Sequence, residues 1–267
     1  MIKPGEIQQK ANSIKVRDQQ IEKDYILSWI LLGISKHEGL SKTIIFKGGT
    51  VLKKVYFEDY RFSEDLDFTM LDNNISNDQI FLWFNEVFEF IKEDANIPLE
   101  IIDNNEHEDG GINFYISYIG PLGGQGSNKR VKVDISRSEK MVFAPILKNV
   151  FISYNDLEEH QLLCYPLEEV LLEKMRSVMQ RMQARDFYDI WYLLEIQSMD
   201  VDFYINEFEI KCKCKNILYT DFLKKLEERL PQYKGRWISS MREQITFLPD
   251  FEQVKREVLR HIKKIKF

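Results

Sequence analysis

The sequence has few cysteines and no hydrophobic run long enough to cross a membrane. Its longest apolar run, Ile26 to Ile34, is interrupted by Ser28 and Gly33, whereas a membrane-spanning helix needs about 20 apolar residues. The N-terminus also lacks the charged and then apolar pattern of a secretion signal. We therefore expect a cytoplasmic protein without membrane contact, whose three cysteines are reduced thiols.

Positive charge is also in short supply, because the net charge is -6 at pH 7. This balance argues against a protein that binds nucleic acid by overall attraction. The charge is uneven, however: residues 86–109 hold nine acidic side chains against Lys92, whereas the tail from Lys255 to Lys266 holds six Lys or Arg against Glu257. That basic tail could contact phosphates or form the solvated face of a terminal helix.

The hydrophobic pattern predicts an α+β protein. Helical spacing of apolar residues predicts helices near residues 21–35 and 77–94. Short runs rich in β-branched and aromatic residues predict strands near 43–46, 66–70, 112–119 and 131–135, and the loop Gly120 to Ser127 joins the last two into a hairpin. After Pro166 the pattern becomes helical almost to the end.

The predicted architecture is a mixed sheet core with a bracing N-terminal helix and a mostly helical C-terminal half. Neither an internal repeat nor a low-complexity linker separates the halves. We predict an α+β domain at residues 1–160 and a helical domain at 161–267 that packs on it and contributes to the site.

Two carboxylates in one predicted strand form the first candidate site. Asp65 and Asp67 are two residues apart, so both side chains leave the same face of the strand. Two like charges held this close suit a cation such as Mg²⁺, although Asp-x-Asp alone is also typical of a solvated turn.

A glycine turn before this strand strengthens the interpretation. Gly48 and Gly49 allow backbone N–H groups to approach an anion closely, and Thr50 adds a hydroxyl. A third carboxylate, Asp134, lies in an alternating strand and is either an exposed strand residue or, if the two strands are neighbours, the third member of a triad. Three carboxylates with metal ions fit in-line nucleotidyl transfer from an NTP.

A second group of polar residues lies in the helical half. Lys174 interrupts the apolar stripe of its predicted helix, so its ammonium either meets an anion or extends to solvent. Asp186 and Asp189 are three apart and share a helix face. They could pair with a lysine that positions phosphate, or form a capping ion pair.

Four segments together resemble the AbiEii/AbiGii toxin family. They are Glu22-Lys23-Asp24-Tyr25, Lys47-Gly48-Gly49-Thr50 through Lys54, Arg61-Phe62-Ser63-Glu64-Asp65-Leu66-Asp67, and Glu173-Lys174 through Arg185-Asp186-Phe187-Tyr188-Asp189. The resemblance spans about residues 20–195 and implies a nucleotidyltransferase-like toxin of a type IV toxin–antitoxin or abortive-infection system. Some members of that family transfer nucleotides to the acceptor end of tRNA.

The resemblance also implies roles for individual residues. It assigns triphosphate binding to Gly48, Gly49 and Ser63, and metal binding to Asp65 and Asp67. Lys174 matches a helical lysine that contacts phosphate, and either Asp186 or Asp189 matches a later essential acid. Lys54 and Arg61 match basic positions that are loosely assigned to phosphate.

The leading hypothesis is a Mg²⁺-dependent toxin that transfers a nucleoside monophosphate from an NTP to RNA and is controlled by a cognate antitoxin. One alternative is a nucleotidyltransferase that modifies a protein or small-molecule hydroxyl. Another is a protein that binds NTP without transfer and acts through its partner. A purely structural protein fits poorly with a lysine on an apolar stripe and three acids on strand faces.

Overall fold

The computed structural model describes residues 1–124, 126 and 129–265, so Ser127 of the predicted loop and Lys266 of the basic tail lie outside the described residues. The chain divides into two compact units. The first contains residues 1–139 and 145–164, and the second contains residues 140–144 and 165–267. The predicted limits, 1–160 and 161–267, stay a prediction.

The first unit contains a seven-stranded sheet of order β3-β4-β5-β2-β1-β7-β6. The strands are β1 Ile44–Lys47, β2 Asp65–Met70, β3 Leu99–Glu106, β4 Ile112–Tyr118, β5 Arg130–Ser136, β6 Ile146–Asn149 and β7 Gln161–Cys164. The helices are α1 Pro4–Ile14, α2 Asp18–Lys36, α3 Glu38–Thr43, α4 Gly48–Val51, which continues as a π turn over Leu52–Tyr56, and α5 Asn77–Ala95. The sheet is mixed, since β2 is antiparallel to β1 and parallel to β5.

The two faces of the sheet differ in polarity because apolar and polar residues alternate along the central strands. In β2, Leu66 and Phe68 are buried, whereas Asp65 and Asp67 are half-buried on the opposite face. The same alternation runs along β4 and β5. Helix α5 packs on the apolar face, where Phe84 meets Phe114 edge to face with ring centroids 5.0 Å apart. The polar face carries the candidate site.

The second unit is helical. Its helices are α6 Leu167–Gln180, α7 Ala184–Trp191, which continues as a π turn over Tyr192–Ile196, α8 Ile205–Lys213, α9 Phe222–Met241 and α10 Phe251–Ile262. Aromatic rings from three helices form its core: Phe187 of α7 stacks on Tyr233 of α9 with centroids 5.3 Å apart and lies 5.9 Å from Phe251 of α10.

The predicted α+β class is confirmed, and so is the antiparallel pairing of β4 with β5. Part of the basic tail is engaged in ion pairs, because Arg260 and His261 both contact Glu195 and Lys263 contacts Glu227 at 3.0 Å. Among the described residues, no helix is both long and apolar enough to span a membrane.

Candidate active site

A polar row crosses four strands of the first unit and contains two of the three predicted acids. Lys47 is the register partner of Asp67, Asp67 is the partner of Asp134, and Asp134 is the partner of Asn113. Paired residues on adjacent strands project to the same face of a sheet. Asp65 lies two residues from Asp67 and therefore shares that face. The condition set by the sequence, that the strand of Asp134 lies beside that of Asp67, is met.

The glycine turn lies against this row. Gly48 has a φ of 78°, which favours glycine. A Cβ at that position would overlap the Asp67 Oδ2 oxygen and lie 3.0 Å from the Asp67 Cβ. The absence of a side chain at position 48 therefore allows the backbone of the turn to approach the Asp67 carboxylate.

Gly49 borders two further predicted residues. A Cβ at position 49 would lie 2.6 Å from Arg61 Nη2 and 3.5 Å from Ser63 Oγ. Both side chains are largely buried, and Arg61 Nη1 also donates to the Phe62 carbonyl at 3.1 Å. The structure thus brings Gly48, Gly49, Arg61, Ser63 and Asp67 together.

Thr50 has a different position from the one expected of a phosphate ligand. It is buried, and its hydroxyl donates to the backbone carbonyl of Asp65. This hydrogen bond ties the turn to the start of β2. We therefore assign Thr50 a role in holding the turn in place.

The Asp134 carboxylate lies near two basic side chains. Its Oδ2 lies 3.4 Å from Lys132 Nζ and 3.9 Å from His107 Nε2. Within the described part of the chain, no three His, Cys, Asp or Glu side chains converge as a metal-binding group. The strand register sets the three acids on one face but leaves their carboxylates spread along it.

Lys54 lies in the core of the first unit. Its ammonium contacts Asp24 Oδ1 at 2.7 Å and donates to Ser28 Oγ at 2.8 Å, and only 1% of the residue is exposed. Tyr154 donates to the other Asp24 oxygen at 2.9 Å. Burial lowers the pKa of Lys54, and the nearby charge of Asp24 opposes that shift. These contacts give Lys54 a structural role.

In the second unit, Lys174 contacts both candidate acids of α7. Its Nζ lies 2.8 Å from Asp186 Oδ1 and 2.9 Å from Asp189 Oδ2, and all three residues are buried. Arg181 Nε adds a contact to Asp186 Oδ2 at 2.8 Å. Burial by itself raises the pKa of Asp186, but attraction and hydrogen bonds from Lys174 and Arg181 hold it below its ordinary value. The sequence left open whether the Lys174 ammonium contacts an anion or extends to solvent, and the structure shows contact with two carboxylates.

A second buried ion pair in this unit has no counterpart in the sequence predictions. Lys211 Nζ lies 2.5 Å from Glu169 Oε1, and the other oxygen of Glu169 accepts from the backbone N–H groups of Val142 and Phe143 at 3.0 and 2.9 Å. The pair fixes the segment 140–144 to α6. The sequence contains no clear signal for this pair, because Glu169 follows Glu168 and Lys211 lies two residues from both Glu209 and Lys213.

The four charged or polar residues at 22–25 also have separate partners. Lys23 pairs with Glu64 at 3.2 Å, and Tyr25 donates to Asp156 at 2.5 Å. The fully buried Glu22 accepts from the Leu122 N–H at 2.8 Å.

The glycine turn beside a row of strand carboxylates fits the nucleotidyltransferase class that the sequence motifs resemble. The model of the family "Nucleotidyl transferase AbiEii toxin, Type IV TA system" matches residues 29–257. The chain belongs to this family, and the resemblance inferred from its motifs is confirmed.

Solved structures share the fold at low sequence identity. JHP933 from Helicobacter pylori has a TM-score of 0.59 and 14% identity over 93% of this chain and 92% of that one. A protein described as a putative nucleotidyltransferase from H. pylori has a TM-score of 0.58 and 14% identity over 93% and 95%. MenT4, a nucleotidyltransferase toxin from Mycobacterium tuberculosis H37Rv, has a TM-score of 0.51 and 16% identity over the whole of both chains. None of the curated proteins compared with this chain matches it.

Proposed function

We propose that this protein is a Mg²⁺-dependent toxin that transfers a nucleoside monophosphate from an NTP to an RNA acceptor, with the 3′ end of tRNA as the acceptor that the resemblance implies. The observation that carries the proposal is the position of Asp67. It borders the glycine turn through Gly48 and is the register partner of Asp134 on the next strand.

The residues around the glycine turn suit the triphosphate. Gly48 and Gly49 offer backbone N–H groups without side-chain obstruction, and Arg61 with Ser63 supplies a positive charge and a hydroxyl beside Gly49. In phosphoryl and nucleotidyl transfer, positioning and charge neutralisation supply most of the catalysis. The turn would hold the part of the NTP that leaves as pyrophosphate.

The acids fit a magnesium ion by their donor chemistry. Asp65, Asp67 and Asp134 provide carboxylate oxygens from one sheet face, and Mg²⁺ prefers oxygen ligands. These three residues would hold the metal, which when bound neutralises phosphate charge and favours the ionised form of an attacking hydroxyl. Lys132, 3.4 Å from Asp134, balances part of the negative charge of the row.

We propose that activity requires the buried cluster of the second unit as a whole. Its members are Lys174, Asp186 and Asp189. Lys174 contacts both carboxylates at nearly equal distances, so the loss of any member leaves buried charge unbalanced. Asp186 and Asp189 therefore remain equal candidates for the essential acid. We expect a change of either residue to lower transfer.

The test is direct transfer by the purified protein. Protein, Mg²⁺ and total tRNA are incubated with each of the four labelled NTPs, and label is followed on RNA, protein and small molecules. We expect label on RNA with wild type, its loss with Asp67→Asn, and no change with Asp94→Asn, the same replacement at an exposed carboxylate. Label on a protein or metabolite would mean that the acceptor is not RNA. No transfer with any NTP would overturn the proposal.

Toxicity in cells separates transfer from NTP binding alone and identifies the antitoxin. If transfer is the toxic activity, Asp67→Asn abolishes growth arrest while the protein still binds NTP. Continued toxicity of a variant that binds NTP but does not transfer would favour a toxin that acts by binding. The family also implies a cognate antitoxin as partner. We expect a neighbouring reading frame whose co-expression restores growth.

A further inference from the structure

Tyr115 and Arg130 form a cation–π pair on the polar face of the sheet. The Arg130 guanidinium carbon lies 4.4 Å from the centroid of the Tyr115 ring. The two residues are diagonal neighbours on β4 and β5, since Tyr115 is the register partner of Lys132 and Arg130 is the partner of Ser117. Arg130 is exposed and Tyr115 is half-buried, so the pair is accessible from solvent.

Tyr115 lies in the same row of paired strand residues as one of the candidate metal ligands. Asp65 is the register partner of Lys132, and Lys132 is the partner of Tyr115. With adjacent strands roughly 4.8 Å apart, the backbone of Tyr115 is about 10 Å from that of Asp65. A single nucleotide can span this separation.

The pair and the glycine turn flank the carboxylates from opposite sides. The turn follows β1, on one side of β2, whereas Tyr115 lies on β4, beyond β5 on the other side. In an in-line transfer the attacking and leaving groups occupy opposite sides of the phosphorus. If the pyrophosphate leaves toward the turn, the acceptor hydroxyl arrives from the side of β5 and β4.

We propose that Tyr115 and Arg130 form a stacking site for an unpaired nucleobase near the end of the acceptor strand. An aromatic ring and a guanidinium plane both stack on bases, and the positive charges of Arg130 and Lys132 suit the phosphates beside that base. The assignment of the base to the acceptor rests on the proposed function. The binding of an unpaired base to this site does not require transfer to occur.

A polypeptide acceptor fits this site less well. The site combines an aromatic ring with two positive side chains near a row of acids. Stacking with adjacent phosphate contacts is instead the combination that proteins use for single-stranded nucleic acid. Labelling of a protein in the transfer assay is therefore the result that would identify a polypeptide acceptor.

The experiment measures binding of labelled RNA oligonucleotides to the full-length protein without NTP or Mg²⁺. Three probes are compared: a single-stranded RNA, the same strand with abasic sites in its last two positions, and a blunt duplex. We expect the single strand to bind about tenfold more tightly than the abasic strand. Tyr115→Leu should remove this difference, whereas Tyr115→Trp should keep it.

Charge and folding are controlled separately. Arg130→Ala should weaken binding of the single strand and reduce its salt dependence. Lys148→Ala breaks another cation–π contact, in which Lys148 Nζ lies 5.4 Å from the centroid of the Tyr56 ring, and should leave RNA binding unchanged. Thermal unfolding of each variant verifies that it is folded, and Tyr115→Val, which also lacks a ring and suits a strand, serves in place of a Leu variant that does not fold.

The results separate this site from the proposed function. Equal binding of the base-containing and abasic strands by wild type, or an unaltered preference in Tyr115→Leu, would overturn the stacking site even if RNA is labelled in the transfer assay. Conversely, a base preference that depends on Tyr115 supports the site even if no transfer is found. Labelling of a protein, with no base preference, would overturn the site in favour of a polypeptide acceptor.

Discussion

The Asp67 carboxylate occupies the space that a side chain at Gly48 would need: a Cβ there would overlap Oδ2. The relationship joins the two motifs that the sequence marked as a phosphate turn and a metal-binding strand. It also makes position 48 a sensitive one, because any L-residue there would both adopt an unfavourable φ and displace a candidate catalytic group.

Gly48→Ala should lower nucleotide transfer by about 100-fold, because displacement of a reacting group by about 1 Å has effects of that size. The variant should also be destabilised by about 1–3 kcal/mol through backbone strain. Gly123→Ala is a matched control: its φ is 66°, but no atom of the described residues lies within 4 Å of an added Cβ. It should show strain without loss of transfer. Equal loss of transfer in both variants would contradict the role given to the Gly48–Asp67 contact.

Thr50→Val should cost about 1 kcal/mol of stability, because it removes the hydrogen bond from the Thr50 hydroxyl to the Asp65 carbonyl. Thr50→Ser keeps the hydroxyl and should stay close to wild type. Because this hydroxyl is engaged with backbone, the KM for NTP should change little, whereas Ser63→Ala should raise it. Chemical denaturation and steady-state kinetics measure the two effects. A raised KM with unchanged stability in Thr50→Val would restore Thr50 as a phosphate ligand.

The strands that carry the site were predictable because their pattern is local. The alternation of polar and apolar residues in β2 and β5 predicts a strand and a polar face without knowledge of the neighbouring strands. The register between Asp67 and Asp134 was not predictable, since pairing depends on which strands become adjacent. From the sequence, Asp134 could be assigned to the site only on the condition that its strand lies beside the strand of Asp67.

Other elements lack a local signal. β3 lies at an edge of the sheet and ends in the polar run Asp103 to Glu106, whose composition does not favour a strand. Its pairing with β4 stabilises the extended conformation instead. β6 lies at the other edge of the sheet and is mostly exposed, so it also lacks the apolar pattern that predicts a strand. The pairing of Asp24 with Lys54 joins residues 30 positions apart, and nothing in their spacing indicates it.

Lys54→Met tests the structural role of that lysine. It leaves the buried carboxylate of Asp24 without its cation, so stability should fall by about 3–5 kcal/mol. Asp24→Asn combined with Lys54→Met should recover part of the loss. Lys53→Met, at the adjacent half-buried lysine, should cost less than about 1 kcal/mol. Denaturant unfolding gives these values, and an unchanged stability of Lys54→Met with a raised KM for NTP would favour the phosphate assignment.

Asp186→Asn tests the buried cluster of the second unit through its pH dependence. The folded protein holds the pKa of Asp186 below the ordinary value of 3.8. Between these two pKa values the unfolded chain binds more protons than the folded one, so the contribution of Asp186 to stability rises with pH. The full contribution is present above about pH 4 to 5 and is lost as the pH falls through the lowered pKa.

The measurement is the unfolding free energy of wild type and Asp186→Asn from pH 7 to pH 3. At pH 7 the variant should be less stable by about 3–5 kcal/mol, because Lys174 and Arg181 lose a partner carboxylate. The difference should stay constant to about pH 5 and shrink at lower pH. Asp94→Asn, at an exposed carboxylate, should show no such profile. A difference that grows on acidification would mean that Asp186 is protonated in the folded protein and that Lys174 is balanced by Asp189.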